Sequence, residues 1–134
     1  MANEAQQEVK NPVGWFEIYV QDLKRAQAFY EAVFAFKLEK LESPDPAIEL
    51  IAFPGPMDES HGCSGALVKM EGGPTGGGNG VVIYFMCKDC AVEAGRVVAA
   101  GGQLSKPKFS IGRYGFAALA VDTEGNMIGL HSMQ

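Results

Sequence analysis

The sequence predicts an α+β protein made of two tandem βαβββ modules, and three observations lead to this prediction. Residues 15–23 alternate between two faces and end beside an aspartate that suits a helix N-cap. Residues 82–90, which begin 67 positions later, show the same order. Between the two stretches, residues 71–80 contain six glycines and one proline, which is typical of a flexible linker between repeats.

The first module is predicted to begin with a strand over 13–20, because its apolar residues alternate with the period of two that a strand requires. Asp22 then caps a helix that runs to about Phe34, with an apolar stripe at helical spacing. Three further strands are predicted at 36–41, 48–53 and 64–70. Turn-forming residues at 43–46 separate the first two of these strands.

The second module repeats this order. A strand over 81–87 is followed by a helix that Asp89 caps and that stops at Gly101, after about Ala100. A short strand at 103–106 and a loop at 109–114 come next. The last two strands are predicted at 115–121 and 127–131, with a tight turn between them.

Length and composition set the broad class. A chain of 134 residues fits one domain over 1–134, with module one at about 12–70, the linker at 71–80 and module two at about 81–132. The net charge of −5 argues against nucleic-acid binding, and no apolar run is long enough to predict a membrane span. Residues 1–10 are polar and do not resemble a secretory signal. Three cysteines, an odd count, suggest a reducing cytoplasm.

Several short motifs, in one order and spacing, carry a family resemblance. They are Phe16-Glu17-Ile18, the run from Asp22 to Ala26, Phe29-Tyr30, Val33-Phe34, the helix end at 99–102 and the turn and strand at 122–130. Together they resemble the vicinal oxygen chelate superfamily, which includes glyoxalase I, extradiol dioxygenases and bleomycin-resistance proteins, and within it an uncharacterised glyoxalase-like branch. The resemblance implies a half-open, barrel-like sheet, the glyoxalase/bleomycin resistance fold. It also implies a small-molecule cavity on the concave side, often completed in a homodimer.

The metal enzymes of this superfamily carry His, Gln or Glu ligands on the inward strand faces. By the resemblance, three of these positions fall on Trp15, Val82 and Gly129, and the fourth lies on the strand near 65–68. None of these side chains is a metal ligand, whereas a catalytic divalent site needs about three protein ligands. The sequence therefore predicts a small-molecule-binding protein without the usual metal or any other cofactor, with an unknown ligand.

The predicted pocket is lined by side chains that alternation places on the inward face, together with one arginine from the loop before the seventh strand. They are Trp15, Glu17, Tyr19, Tyr84, Met86 and Arg113. Glu17 is the candidate catalytic residue, because a carboxylate among aromatic rings is partly desolvated and can act as a base or a hydrogen-bonding anchor. The alternatives for Glu17 are an ion pair with a nearby Lys or Arg and exposure at a dimer edge, and the alternative for the aromatic residues is simple filling of space.

Two other functions stay open at this stage. A metal-dependent lyase or isomerase of the glyoxalase type could hold a divalent metal ion with Glu17 and His131, each displaced two residues from a family position. A thiol redox protein could use Cys87 and Cys90, a C-x-x-C pair at a strand-to-helix junction, although both also suit core positions. His61 is predicted to lie in a solvated loop.

Overall fold

The computed structural model describes residues 11–57 and 62–134, so the leader 1–10 and His61 lie outside the described residues. The first module contains β1 (Val13–Tyr19), α1 (Leu23–Phe34), β2 (Glu39–Leu41), β3 (Ile48–Ala52) and β4 (Ser64–Met70). The second module contains β5 (Val81–Met86), α2 (Cys90–Ala94), β6 (Gln103–Ser110), β7 (Phe116–Val121) and β8 (Met127–Ser132). Neither helix is long enough and apolar enough to cross a membrane, within the described part of the chain.

All eight of these strands form one mixed sheet in the order β2-β3-β4-β1-β5-β8-β7-β6. In each module the first and last strands pair in parallel, and β1 pairs with β5 in antiparallel fashion. Because Trp15 pairs with Tyr84 and Glu17 pairs with Val82, the two modules are related by an approximate twofold axis at Phe16. The predicted α+β fold class with two βαβββ modules is confirmed, and the sheet is not closed.

Both helices begin where the sequence predicts, whereas the end of α2, the end of β6 and the start of β2 differ from the prediction. Asp22 Oδ1 accepts a hydrogen bond from the Arg25 amide at 3.0 Å, as a helix cap should. Regular α2, however, ends at Ala94 rather than near Ala100. Gly95 follows at once, and glycine weakens a helix because it loses the most backbone freedom on ordering.

The predicted loop at 109–114 is also partly wrong, because β6 continues to Ser110. Pro107 lies inside this strand, where the pairing of edge strand β6 with β7 is irregular between Lys106 and Phe109, and edges and bulges are where a strand tolerates proline. The rest of the segment forms a 3-10 helix at Gly112–Tyr114. Strand β2 is shorter than predicted, beginning at Glu39 after Ala35 ends α1 in the left-handed conformation.

The two faces of the sheet carry separate apolar cores. On the concave face the buried residues are Tyr19, Ala66, Val68 and Val82. On the other face, module two packs α2 against the sheet through Cys90, Ala94, Ala118 and Leu130. Alternation along the central strands therefore sends one set of side chains to the helices and the other into the hollow of the sheet.

The open sheet curls enough to bring loops from its two ends into contact. The Tyr114 hydroxyl donates a hydrogen bond to the Glu42 carbonyl at 3.0 Å. Glu42 follows β2 at one end of the strand order, and Tyr114 follows β6 at the other. This contact gives the concave face a rim that both modules share.

Candidate functional site

Glu17 is the centre of a hydrogen-bonded cluster on the concave face. Its carboxylate accepts bonds from Trp15 Nε1 at 3.1 Å, from the Tyr19 hydroxyl at 2.7 Å and from the Tyr84 hydroxyl at 3.2 Å. The first two donors lie two residues to either side of Glu17, so the pleat of β1 places all three side chains on one face. Tyr84 joins them from β5, where it pairs with Trp15.

Burial and charge keep both tyrosines in this cluster protonated. Burial raises the pKa of Tyr19 and of Tyr84 far above the usual range, and the charge of Glu17 raises both further. A protonated hydroxyl is a hydrogen-bond donor, so each tyrosine stabilises the ionised carboxylate. Within the described residues Glu17 makes no ion pair within 4.0 Å, and the cluster takes the place of the counter-ion that the sequence left open.

The side chains at the four inward metal positions of the superfamily do not fit a divalent cation. Trp15, Val82 and Gly129 were assigned from the sequence, and the strand register now gives the fourth. Glu17 and Tyr84 are equivalent in the two modules and pair with Ala66 and Gly129 respectively, so the fourth position is Ala66. An indole, an isopropyl group, a methyl group and a hydrogen offer no ligand atom.

Packing also explains why residue 129 is a glycine. A Cβ atom at this position would overlap the ring of Tyr84, which lies across the glycine. Glycine in a strand often marks such a close approach. A longer ligand side chain at position 129 would therefore have to displace the tyrosine that bonds Glu17.

The structure does not bring Glu17 and His131 together. Glu17 pairs with Val82 and His131 pairs with Met86, four residues further along β5, which corresponds to about 13 Å. The reason is topological: β8 runs parallel to β5 and antiparallel to β1, so a shift of two residues moves the two side chains in opposite directions. His131 Nε2 instead lies 2.6 Å from the Tyr114 carbonyl oxygen.

The acidic, histidine and cysteine side chains agree with this geometry. Over residues 11–57 and 62–134, no three His, Cys, Asp or Glu side chains come close enough together to hold a metal ion.

A cleft of about 240 Å³ opens beside the Glu17 cluster. Its lining includes Trp15, Lys37, Lys40, Ala52, Pro54 and Ser64. Trp15 is the residue that the sequence placed in the pocket and that also lines this cleft. The two lysines and the serine were missed, because the sequence does not give the strand pairing: Ser64 lies beside Trp15 on β4, and the lysines lie at and before edge strand β2.

The other predicted pocket residues have different surroundings. Tyr19 and Tyr84 are hydrogen-bonded to Glu17, and none of these three residues lines the cleft. Met86 packs against Gly14, where a Cβ atom would meet its side chain. The Arg113 guanidinium donates to the Tyr114 hydroxyl at 3.3 Å, at the shared rim rather than at the cluster.

The two cysteines of the C-x-x-C pair are not arranged as a reactive dithiol. Cys90 is fully buried in the core under α2. Burial, followed by the charge of Glu93, raises the pKa of the Cys87 thiol to about 11. The nucleophile in thiol exchange is the thiolate, which such a pKa makes scarce at neutral pH.

Several known proteins share this architecture. The family described as bleomycin resistance protein-like N-terminal matches residues 13–47, which span β1, α1 and β2. A methylmalonyl-CoA epimerase variant from Streptomyces coelicolor, in complex with 2-nitronate-propionyl-CoA, superposes with a TM-score of 0.65 at 20% identity, over 92% of this chain and 95% of the other. The chain has the fold of the vicinal oxygen chelate superfamily. The resemblance inferred from the sequence is thereby confirmed.

Two further structures have the same superfamily fold. Methylmalonyl-CoA epimerase from Mycobacterium tuberculosis is 14% identical with a TM-score of 0.65, over 98% of this chain and 95% of the other. A hypothetical protein from Bacillus halodurans is also 14% identical with a TM-score of 0.65, over 91% and 94% of the two chains. No curated protein sequence matches the chain significantly.

Proposed function

We propose that this protein binds a small organic molecule at the concave face of the sheet, without a chelated divalent metal. The observation that carries the proposal is the replacement of the chelating centre. Where the superfamily's metal enzymes point ligands at a cation, this chain points three donors at the carboxylate of Glu17. A fixed anion with neutral donors can orient a ligand or accept a proton, and Glu17 is the proposed anchor and candidate base.

Ligand binding can be followed without a label, because Trp15 is the single tryptophan of the chain and lines the cleft. Two structures with the same fold were solved with acyl-CoA compounds, so short acyl thioesters and free organic acids form the first panel. A saturable change in Trp15 fluorescence, with a matching heat of binding, is expected from at least one member. A panel in which nothing saturates, while Trp15 stays accessible to acrylamide, counts against a binding cleft.

The metal-free part of the proposal has a separate test. Protein purified without added metal is dialysed against Zn²⁺, Ni²⁺, Mn²⁺ or Fe²⁺ in turn, and bound metal is measured by plasma mass spectrometry. Far less than one equivalent is expected for each ion. One equivalent that is lost in Glu17→Gln and retained in Glu39→Gln would instead support the metal-dependent lyase or isomerase, with the remaining ligands supplied by a partner subunit.

The thiol redox alternative is tested by alkylation in a Cys63→Ser background. With a pKa of about 11 for Cys87 and full burial of Cys90, both thiols should react with iodoacetamide much more slowly than free glutathione at pH 7. Rapid labelling of both thiols in the folded protein would support the redox function instead.

We also propose that the protein is a cytoplasmic homodimer. Support comes from α1, whose Phe29, Val33 and Phe34 side chains are more than half exposed, since large apolar patches on a surface often mark interfaces. Light scattering coupled to size exclusion should give twice the monomer mass. Phe29→Ser combined with Phe34→Ser should give a monomer, whereas Val98→Ser, an equally exposed site on module two, should not. A monomeric parent protein would refute the dimer.

A further inference from the structure

The linker between the two modules ends in a chemically reactive dipeptide. Residues 76–80 read Gly-Gly-Gly-Asn-Gly, and Asn79-Gly80 is the one asparagine–glycine pair in the sequence. In such a pair the backbone nitrogen of the glycine can reach the side-chain amide of the asparagine, because the second residue has no side chain to block the approach. Asn79 is exposed, and exposed glycine-rich segments move readily.

The segment that holds this pair is a single weak turn. A 3-10 helix covers only Gly77–Asn79 and has no side-chain cap, and the hydrogen bonds of such helices have poor geometry. The Gly80 amide donates to the Gly77 carbonyl at 3.3 Å, which is longer than the roughly 2.7–3.2 Å of most such bonds. Opening the turn therefore costs little free energy, since short surface segments lie at the low end of local stability.

Packing requires the second residue of the pair to be glycine. Gly80 is buried, and a Cβ atom at this position would lie 2.5 Å from the Gly76 Cα and 3.3 Å from the Gly77 nitrogen. A larger residue would displace the turn, so the chain keeps the glycine that makes Asn79 reactive. Because these close atoms belong to the turn itself, opening the turn also uncovers the Gly80 nitrogen.

We propose that Asn79 is a site of spontaneous deamidation. The Gly80 nitrogen forms a bond to Asn79 Cγ, the bond from Cγ to Nδ2 breaks, and the amide group leaves as ammonia with the proton of the Gly80 N–H. Water then opens the cyclic imide at either carbonyl. One opening gives aspartate, and the other gives isoaspartate, whose main chain is longer by one methylene group.

The isoaspartate product would disturb the end of β1. The Gly80 carbonyl, one residue after the reacting asparagine, accepts a hydrogen bond from the Tyr19 amide at 2.6 Å. The Tyr19 hydroxyl in turn donates to Glu17. A longer main chain at position 79 shifts the Gly80 carbonyl, so the modified protein is expected to lose the bond that joins Tyr19 to the linker.

Mass spectrometry on the full chain, incubated in its folded state at pH 8, measures the reaction. Trypsin cuts after Lys69 and Lys88, so one peptide contains Asn79, and the exchange of NH₂ for OH changes its mass. Asn126 is the internal control, because its side chain donates to Asp122 at 3.0 Å and the next residue is not glycine. Asn79 should convert at least about tenfold faster than Asn126, which equals about 1.4 kcal/mol in activation free energy.

A parallel incubation in denaturing urea tests whether the native turn restrains the reaction. The rate at Asn79 in the folded protein should be within about tenfold of the rate in urea, since the turn opens readily. A larger slowing in the folded state overturns the proposed site. A rate at Asn79 no higher than that at Asn126 overturns it as well.

Variants separate deamidation from other changes during incubation. Fully converted protein should have an unfolding equilibrium constant about fivefold higher than fresh protein, as expected for the loss of one backbone hydrogen bond. Asn79→Gln keeps an amide but must form a six-membered ring to react, so it should keep its stability on incubation. An equal loss of stability in Asn79→Gln contradicts the effect on Tyr19.

Asn79→Asp separates the new charge from the longer main chain. This variant has the charge of the products and an unchanged main chain, so it should unfold like fresh parent protein. A fivefold effect already present in Asn79→Asp would assign the destabilisation to charge and contradict the loss of the Tyr19 bond. The mass measurement decides independently whether Asn79 reacts.

Discussion

The two modules share one topology but use it differently. In module two, α2 buries Cys90 and Ala94 against the sheet, and on the opposite face the Tyr84 ring fills the space over Gly129. In module one, α1 has no buried residue, and on the opposite face small side chains leave the cleft beside Trp15 open. Module one still buries Ala66, Leu67 and Val68 on β4, so what it leaves uncovered is the outer side of α1 and the cleft beside Trp15.

The repeat pattern therefore determines the strand order but not how completely each face of the sheet is filled. Strand pairing follows from the order of the elements and the alternation of the strands. How completely a face is filled depends on the volumes of individual side chains. One module, for example, has a tyrosine where the other has a glutamate at the equivalent position. A ligand site and a subunit interface are therefore expected in module one, at the cleft and on the exposed side of α1 respectively.

The largest expected effect is on the stability of the two helix–sheet contacts. Leu130→Ala, in the core under α2, should lower the free energy of unfolding by about 3 kcal/mol, because it leaves a cavity among packed neighbours. Phe29→Ala on α1 removes a larger side chain that is 58% exposed, and should cost less than about 1 kcal/mol. Urea unfolding at a concentration that keeps the protein monomeric measures both. Similar losses would show that α1 is packed as tightly as α2.

The contact between Tyr84 and Gly129 gives the next largest effect. Gly129→Ala should destabilise the protein by about 2 kcal/mol, because its Cβ overlaps the tyrosine ring. Adding Tyr84→Ala should make the glycine substitution nearly neutral, and a double-mutant cycle gives the coupling. Gly78→Ala is the matched control, since a Cβ there meets nothing within 4 Å. Additive losses would mean that the ring does not set the identity of residue 129.

The sequence predicted the parts of this site that depend on local order. Alternation placed Trp15, Glu17 and Tyr19 on one face, and the match between modules put Glu17 and Tyr84 in equivalent positions. That these last two bond each other could have been inferred from the symmetry, because residues near a twofold axis meet their counterparts. The glycine at 129 was a further signal, since a glycine within a strand points to a close neighbour.

Other features could not be predicted because they depend on curvature and strand direction. Lys37 and Lys40 line the cleft because they lie at and just before β2, and the sequence does not reveal that this short strand forms the edge of the sheet next to β3. The separation of His131 from Glu17 depends on β1 and β8 running in opposite directions, which a residue count along each strand does not reveal. The contact of Tyr114 with Glu42 joins opposite ends of the strand order.

A smaller effect appears at alkaline pH. Tyr19 and Tyr84 have pKa values raised in the folded state, so their contribution to stability is complete below about pH 10, the unfolded value, and is lost as the pH rises above it. Each tyrosine should contribute a slope of at most about 1.4 kcal/mol per pH unit. The unfolding free energy is measured by urea titration from pH 8 upward.

The control for this pH dependence removes another group whose pKa is raised in the folded state. Burial raises the pKa of the Cys87 thiol to about 11, so this group also loses its contribution to stability as the pH rises. The series is therefore measured in a Cys87→Ala background. There, Tyr19→Phe with Tyr84→Phe should flatten the alkaline decline. Tyrosinate absorbance should show that two of the four tyrosines ionise only when the protein unfolds. A decline that persists in the double variant would contradict this assignment.

The smallest effect concerns the rim that the two modules share. Tyr114→Phe removes the bond to the Glu42 carbonyl, and because this contact is exposed the loss should be about 0.5–1 kcal/mol. The change should be clearer in accessibility than in stability, since Glu42 directly follows Leu41, which lines the cleft beside Trp15. Acrylamide should then quench Trp15 more strongly in Tyr114→Phe than in the parent protein. Tyr30→Phe serves as the control, because Tyr30 packs against Phe53 on the opposite face of the sheet. If quenching is unchanged in Tyr114→Phe, the openness of module one is a property of its own small side chains and does not depend on its contact with module two.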